Sequence, residues 1–280
     1  MPDFGIFRGF GEKLMQGQTP INTGNTGGIV FGAVPLLDVY GSAYTAFSLR
    51  KLRTAYTGSA IRVRRSSDNT EQDIGFDAFG ALNTTSLLSF CGANNGFVTT
   101  WYDQSGNGRN ATQATAANQP RIVNAGVVEQ SNGKPAIRNF QVAATSLSFT
   151  GTAVTKSVFL VLEYLSNPGG GGNYPFFVGS NDYHGDPVTW IATFASSSVI
   201  NGNTRLNGVA TNLSTTTKTL NIKLMTMVNQ TTSTLTSIGL GNIAGRNWEG
   251  CFSELVIYTS DQTTNIGGIE SNINFIYNAY

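Results

Sequence analysis

Hydrolysis, proton transfer and metal binding all draw on acidic side chains, and this 280-residue chain has 16 of them against 17 Lys and Arg, one histidine and two cysteines. Asp182 and Asp186 flank His184 in a turn-rich loop. Two readings stand for that loop: a Ca²⁺ site built from oxygen ligands, or a polar loop held by Asx-turns. Glu249 and Glu254 lie on either side of a strand start, at a spacing that turns them to opposite faces and makes them poor partners in acid–base work. One histidine cannot build a zinc site. No Ser-His-Asp order and no phosphate-binding Gly-Lys-Ser/Thr element is present. No cofactor and no metal is expected. Cys91 and Cys251 read as small buried hydrophobes rather than as a disulfide framework. Arg50, Lys51, Arg53, Arg62, Arg64 and Arg65 form a basic cluster. It reads either as an anion site or as the solvated face of a helix with the outer side of a strand.

The composition limits what can hold these residues. Charged side chains make up 12% of the chain, the formal net charge is +1, and Gly, Thr, Asn and Ser abound. That balance suits short strands joined by tight turns and not a helical bundle, whose outer faces carry Glu and Lys. Near-neutral charge argues against nucleic acid as a partner. No apolar run is long enough to span a membrane. Asp3, Arg8, Glu12 and Lys13 interrupt the apolar residues near Met1, so no signal-peptide core is read there.

Residues 1–32 read as an arm and linker. Phe4, Ile6, Phe7, Phe10 and Leu14 are spaced by glycines that disfavour a helix, and they form an aromatic peptide able to anchor in another subunit's groove. Residues 33–280 read as one β domain. Tyr44, Phe47, Leu49, Leu52 and Tyr56 recur at three- and four-residue steps, which predicts a helix over Ala43–Tyr56. Strands are predicted at Ala60–Arg64, Asp73–Phe76, Phe97–Tyr102, Ser157–Glu163, Tyr174–Gly179, Thr189–Phe194, Thr204–Val209, Leu220–Val228, Ser233–Gly239 and Cys251–Tyr258. A helical turn is predicted at Thr84–Phe90. A closing helix is predicted over Asn265–Tyr280, with Ile269, Ile273, Ile276 and Tyr277 on one face.

The run Trp101-Tyr102-Asp103-Gln104-Ser105-Gly106-Asn107-Gly108-Arg109-Asn110-Ala111-Thr112-Gln113 resembles the signature of the catalytic sandwich of fungal α-L-arabinofuranosidases, which also occurs in concanavalin A-like domains of bacterial and phage proteins. Ala43–Arg65 and Phe176–Asn181 fit the same family. Gly250–Tyr258 with the terminal helix resembles the close of laminin-G-like domains. Together these cover roughly residues 35–280. The resemblance implies an all-β, two-sheet concanavalin A-like jelly-roll sandwich with a few short helices and an N-terminal arm. The residue pattern agrees, since many short strands bury their core best by stacking two sheets.

The resemblance also implies where catalytic acids belong: a Glu nucleophile on the strand matching Val188–Phe194, and an Asp acid/base in the Gly-rich loop matching Gly239–Gly245. Neither segment contains a carboxylate, whereas retaining glycoside hydrolysis needs two. The family's signature is also preceded by a close cysteine pair; Cys91 remains, and its partner position falls near Gly96. The expectation is therefore a non-catalytic chain: a phage virion structural protein, such as a head or tail fibre or a capsid decoration, assembled in the host cytoplasm. Its lectin-like cleft would offer Asn181, Tyr183, Trp190, Asn242, Asn247 and Trp248 to a glycan, with rings under the sugar face and amides on its hydroxyls. Its arm would engage other virion proteins, in a homodimer or homotrimer whose linked weak sites gain avidity. The alternatives are an arabinofuranosidase-like hydrolase using relocated carboxylates, and a bacterial extracellular carbohydrate-binding module.

Overall fold

A computed structural model describes residues 18–22, 29–140, 145–165, 177–179, 183, 186, 188–193, 195–238 and 248–280. The anchoring residues Phe4, Ile6, Phe7, Phe10 and Leu14 lie outside them. Within the expected linker, Gln18–Asn22 pairs antiparallel with Ile29–Ala33.

The body is a two-sheet β-sandwich with a few short helices. Its long strands are Leu147–Tyr164, Lys223–Ile238 and Gly250–Tyr258, with Leu147–Tyr164 hydrogen-bonded between the other two. Asn203–Leu206 extends this layer on one side, and Thr45–Ser48 pairs with Gly250–Tyr258. Ile137–Asn139 and Arg121–Asn124 lead the ladder on to Gly96–Trp101, Ile61–Arg65 and Glu71–Ile74, which form the facing layer. Side chains alternate along each strand, so Val158, Leu160 and Leu162 point into the inter-sheet core, while Phe159 and Val161 face the second cluster under the helix Ile266–Tyr277.

Several expectations shift. Ala43–Tyr56 is not helical: Thr45–Ser48 is a strand buried on both faces, and the nearby helix is the short Leu36–Val39. Phe47 enters the inter-sheet core and Ala46 the second cluster, so strand pairing satisfies both sides at once. Leu220–Val228 and Ser233–Gly239 merge into the single strand Lys223–Ile238. Of the predicted strand Thr189–Phe194, the described residues 189–193 form none. Thr189 makes one isolated bridge to Thr217 and turns its hydroxyl onto the Ile191 carbonyl at 2.9 Å, a local bond that competes with a ladder. The closing helix forms over Ile266–Tyr277, inside the predicted Asn265–Tyr280, with Ile269, Ile273 and Tyr277 buried and Ile276 partly so. No described helix is long and apolar enough to cross a membrane.

Candidate functional site

The Trp101–Gln113 segment is a structural clamp. Asp103 is buried, and its Oδ1 accepts from the amides of Ala46 and Ser105, both at 2.9 Å. Its Oδ2 accepts from Ser105 Oγ at 2.8 Å and from the Arg109 amide at 3.0 Å. Gln104 is fully buried: its Oε1 accepts from the Leu52 amide at 2.8 Å, and its Nε2 donates to the carbonyls of Ser48 and Arg50, each at 3.0 Å. Gly106 holds φ +94°, and a Cβ there would meet Arg53 Nη1 at 2.7 Å, so this turn requires glycine. These bonds fasten the Thr45–Ser48 strand to the opposite layer. Both oxygens of Asp103 are thereby taken up by donors of the fold.

The basic cluster is dispersed among separate partners. Arg50 pairs with Glu254, Arg62 with Glu71 and Asp73, and Arg65 with Asp68. Arg64 lies over the Phe97 ring and donates to Gln119. The four are held by four different sets of neighbours, so they form no shared anion site. The solvated-face reading fits Arg62 on the outer side of its strand but not Arg50, which is buried beside Glu254 and lies on no helix.

A chain of rings runs through the inter-sheet core. Phe149 stacks on Phe47 at 5.6 Å; Phe47 meets Trp101 at 5.4 Å; Trp101 meets Phe252 at 5.4 Å. Phe252 meets Trp248 at 5.6 Å, Trp248 meets Tyr164 at 5.7 Å, and Tyr164 meets Trp190 at 5.5 Å. The chain ends under a cation, with Lys218 Nζ lying 4.5 Å from the Tyr164 centroid. Lys218 is buried, and among the described residues its Nζ makes no hydrogen bond; the indole nitrogens of Trp190 and Trp248 make none there either. Burial pushes the Lys218 pKa down to about 8, opposed by Asp186. Three buried donors without acceptors around one tyrosine ring is an unusual concentration, because buried polar groups are ordinarily paired. Asp186 borders this end. It is partly buried, and its Oδ1 accepts from the amides of Val188 at 2.8 Å and Thr189 at 3.0 Å.

Of the expected glycan-contacting residues, Trp190 and Trp248 are fully buried members of the ring chain. Tyr183 is also buried, sharing a 2.8 Å hydrogen bond with Thr155. These three therefore pack as core and do not form an open stacking platform. Asn181, Asn242 and Asn247 lie outside the described residues, as do Asp182 and His184. Lys218 was not singled out from the sequence, since one lysine in a Thr-rich run carries no signal of burial.

Residues 37–146 match the family model of the catalytic domain of alpha-L-arabinofuranosidase B. A probable alpha-L-arabinofuranosidase B of Aspergillus terreus is 34% identical over 113 residues, which is 38% of this chain and 21% of the relative. The alpha-L-arabinofuranosidase B of Aspergillus oryzae is 37% identical over 83 residues, or 28% and 16% of the two chains. The chain thus spans about a fifth, or less, of the length of the curated relatives it matches. Among solved structures, a GH54 α-L-arabinofuranosidase soaked with a cyclic sulfate inhibitor superposes with a TM-score of 0.50 at 18% identity, over 85% of this chain and 63% of the other. That likeness bears out the sandwich fold.

These matches overturn the expectation of a non-catalytic virion protein. The relatives are fungal arabinofuranosidases, and no phage or virion protein is among them. The fibre or capsid-decoration role and the virion location fall with it. The expectation rested on the acids missing from Val188–Phe194 and Gly239–Gly245. The matched stretch lies wholly outside both segments; residues 188–193 are turn-rich, with Trp190 packed inward, and Gly239–Gly245 lies outside the described residues.

Proposed function

We propose that the chain is an arabinofuranosidase-like glycoside hydrolase acting on α-L-arabinofuranosides. The match of residues 37–146 to an arabinofuranosidase catalytic domain carries this reading. The chemistry requires two carboxyl groups flanking the scissile bond, about 5–5.5 Å apart for retention and about 6.5–9.5 Å apart for inversion. Among the described residues from 166 to 248, Asp186 is the sole acid. Two amides orient its carboxyl, and Lys218 adds positive charge beside it, an arrangement suited to holding an anion in place. In this reading Asp186 supplies one carboxyl. The candidates for the second are Asp182, Glu163 and Glu249, the last already held by Arg138 at 2.7 Å.

The test is release of 4-nitrophenolate from 4-nitrophenyl α-L-arabinofuranoside. The Asp186→Asn variant keeps an oxygen for the Val188 and Thr189 amides while losing the charge. It should therefore fold normally and lose about 100-fold or more in kcat. Single Asp182→Asn, Glu163→Gln and Glu249→Gln variants then locate the partner. A folded chain that releases no arabinose from any aryl or oligomeric arabinofuranoside would refute the reading.

A further inference from the structure

We infer that the cleft between the Phe79 loop and the C-terminal helix binds a small aromatic carboxylate. This site shares no residue with the Lys218 end of the ring chain, and its test does not depend on hydrolysis. The cleft has a volume of about 520 Å³, within the range of small-molecule sites. Leu49, Leu82, Phe79, Pro135, Phe275 and Ile276 give it apolar walls.

Two of its aromatic rings stand in water. Phe79 is 88% exposed and Phe275 47%. Phe79 is nonetheless held by a fixed loop. Asp77 Oδ1 accepts from the amides of Phe79 and Ala81, both at 2.9 Å, and the Lys51 amide donates to the Gly80 carbonyl at 2.7 Å. A large apolar ring displayed on a pinned loop beside an apolar cleft is the arrangement expected of a contact surface.

The charges select the ligand's sign. Lys51 and Lys134 line the cleft, and neither makes an ion pair among the described residues. No Asp or Glu is among the described residues lining it. Asp38 and Asp77, in nearby segments, are engaged elsewhere: Asp38 accepts from the Thr54 amide and hydroxyl, and Asp77 holds its own loop. Arg50, on the cleft floor, is already neutralised by Glu254. The cleft therefore offers apolar walls with two uncompensated ammonium groups, which complements a planar ring bearing one carboxylate.

Binding of 1-naphthoate and of the neutral 1-naphthalenemethanol, followed by NMR titration of the whole chain, tests this. The naphthoate should bind the native chain about tenfold more tightly than the alcohol. The Lys51→Gln/Lys134→Gln double variant should abolish that preference and leave alcohol binding unchanged. Phe79→Ala should weaken both probes. High salt should weaken naphthoate alone on the unaltered chain, a readout independent of any variant's folding. Equal binding of the two probes, or naphthoate affinity unaffected by the double variant or by salt, overturns the proposal.

Discussion

Arg50 and Glu254 meet inside the protein as a two-pronged pair, with Arg50 Nε 2.7 Å from Glu254 Oε2 and Nη2 2.9 Å from Oε1. Ser48 Oγ donates to Oε2 at 2.7 Å, and the Tyr277 hydroxyl donates to the same oxygen at 3.2 Å. Asn272 Oδ1 accepts from Nη2 at 2.9 Å. The network joins the segment after the Thr45–Ser48 strand, the Gly250–Tyr258 strand and the closing helix. Glu254 is fully buried and Arg50 nearly so, so each charge relies on the other to offset its lost hydration.

Removing one partner should therefore cost more than removing both. Arg50→Met leaves the Glu254 carboxylate buried without its cation and should destabilise the fold by about 3–5 kcal/mol. Arg50→Met/Glu254→Leu should recover much of that loss. Urea midpoints of the two variants and the parent decide it. A single variant as stable as the parent would show that water reaches the pair.

How far this could be read from sequence differs by element. The closing helix buries one clear face, with Ile269 and Ile273 inward, so its periodicity is plain. The Gly96–Trp101 strand was legible from its β-branched and aromatic residues instead, because a register shift lets Val98 and Trp101, three residues apart, both reach the core. The Thr45–Ser48 strand hid its period because both faces are buried. Its apolar residues then fell at helical spacing. The early half of Leu147–Tyr164 was missed because Ser, Thr and Gly dominate it. The ring chain and Lys218 were illegible for another reason. Tyr164, Trp190, Lys218 and Trp248 are far apart in the chain, and only tertiary packing brings them together. The signature around Asp103 was visible at once, yet its conspicuous residues serve the fold.

Asp103 gives that last statement a test. Four donors converge on its two oxygens, from Ala46, Ser105 twice and Arg109. In Asp103→Asn one oxygen becomes an NH₂ group, which faces donors it cannot satisfy. The variant should lose about 2–4 kcal/mol of stability, the cost of stranding one or two buried donors. Any arabinofuranosidase activity of the fraction that remains folded should be unchanged. Loss of activity with stability intact, measured by denaturation and by the aryl arabinofuranoside assay, would instead give Asp103 a direct part in the reaction.

Gly96 and Cys91 face each other closely enough for covalent closure. A Cβ placed on Gly96 would lie 2.7 Å from Cys91 Sγ, with Val63 and Val123 at 3.1 and 3.3 Å. Gly96→Cys should form a bridge to Cys91 under a glutathione redox buffer, detectable as a loss of two hydrogens by intact mass. Burial pushes the Cys91 thiol up, so closure should be slow at neutral pH. For so short a loop the gain is about 2 kcal/mol on the chain-entropy account. The reduced variant should be less stable than the parent, since the new side chain presses on both valines. Failure to close under strong oxidant would mean that the two positions do not share this register.

Lys218 makes stability depend on pH in a direction opposite to that of a salt-bridged lysine. In the unfolded chain it titrates at its ordinary 10.5; in the fold, burial brings it to about 8. Between those values the unfolded state holds more protons, so stability rises with pH across the window. Below about pH 8 both states are charged, and the full burial cost stands. Lys218→Met removes that cost, which is on the order of 3 kcal/mol at pH 7. The variant also gives up the contact with Tyr164, worth about 1–2 kcal/mol, so a net gain of about 1–2 kcal/mol at pH 7 is expected. As the pH rises towards 10.5 the parent sheds its penalty and the advantage of methionine disappears. Paired urea titrations at pH 7 and pH 9.5 measure this, and a gap between parent and variant that stays constant or widens with pH would show that Lys218 is solvated in the fold.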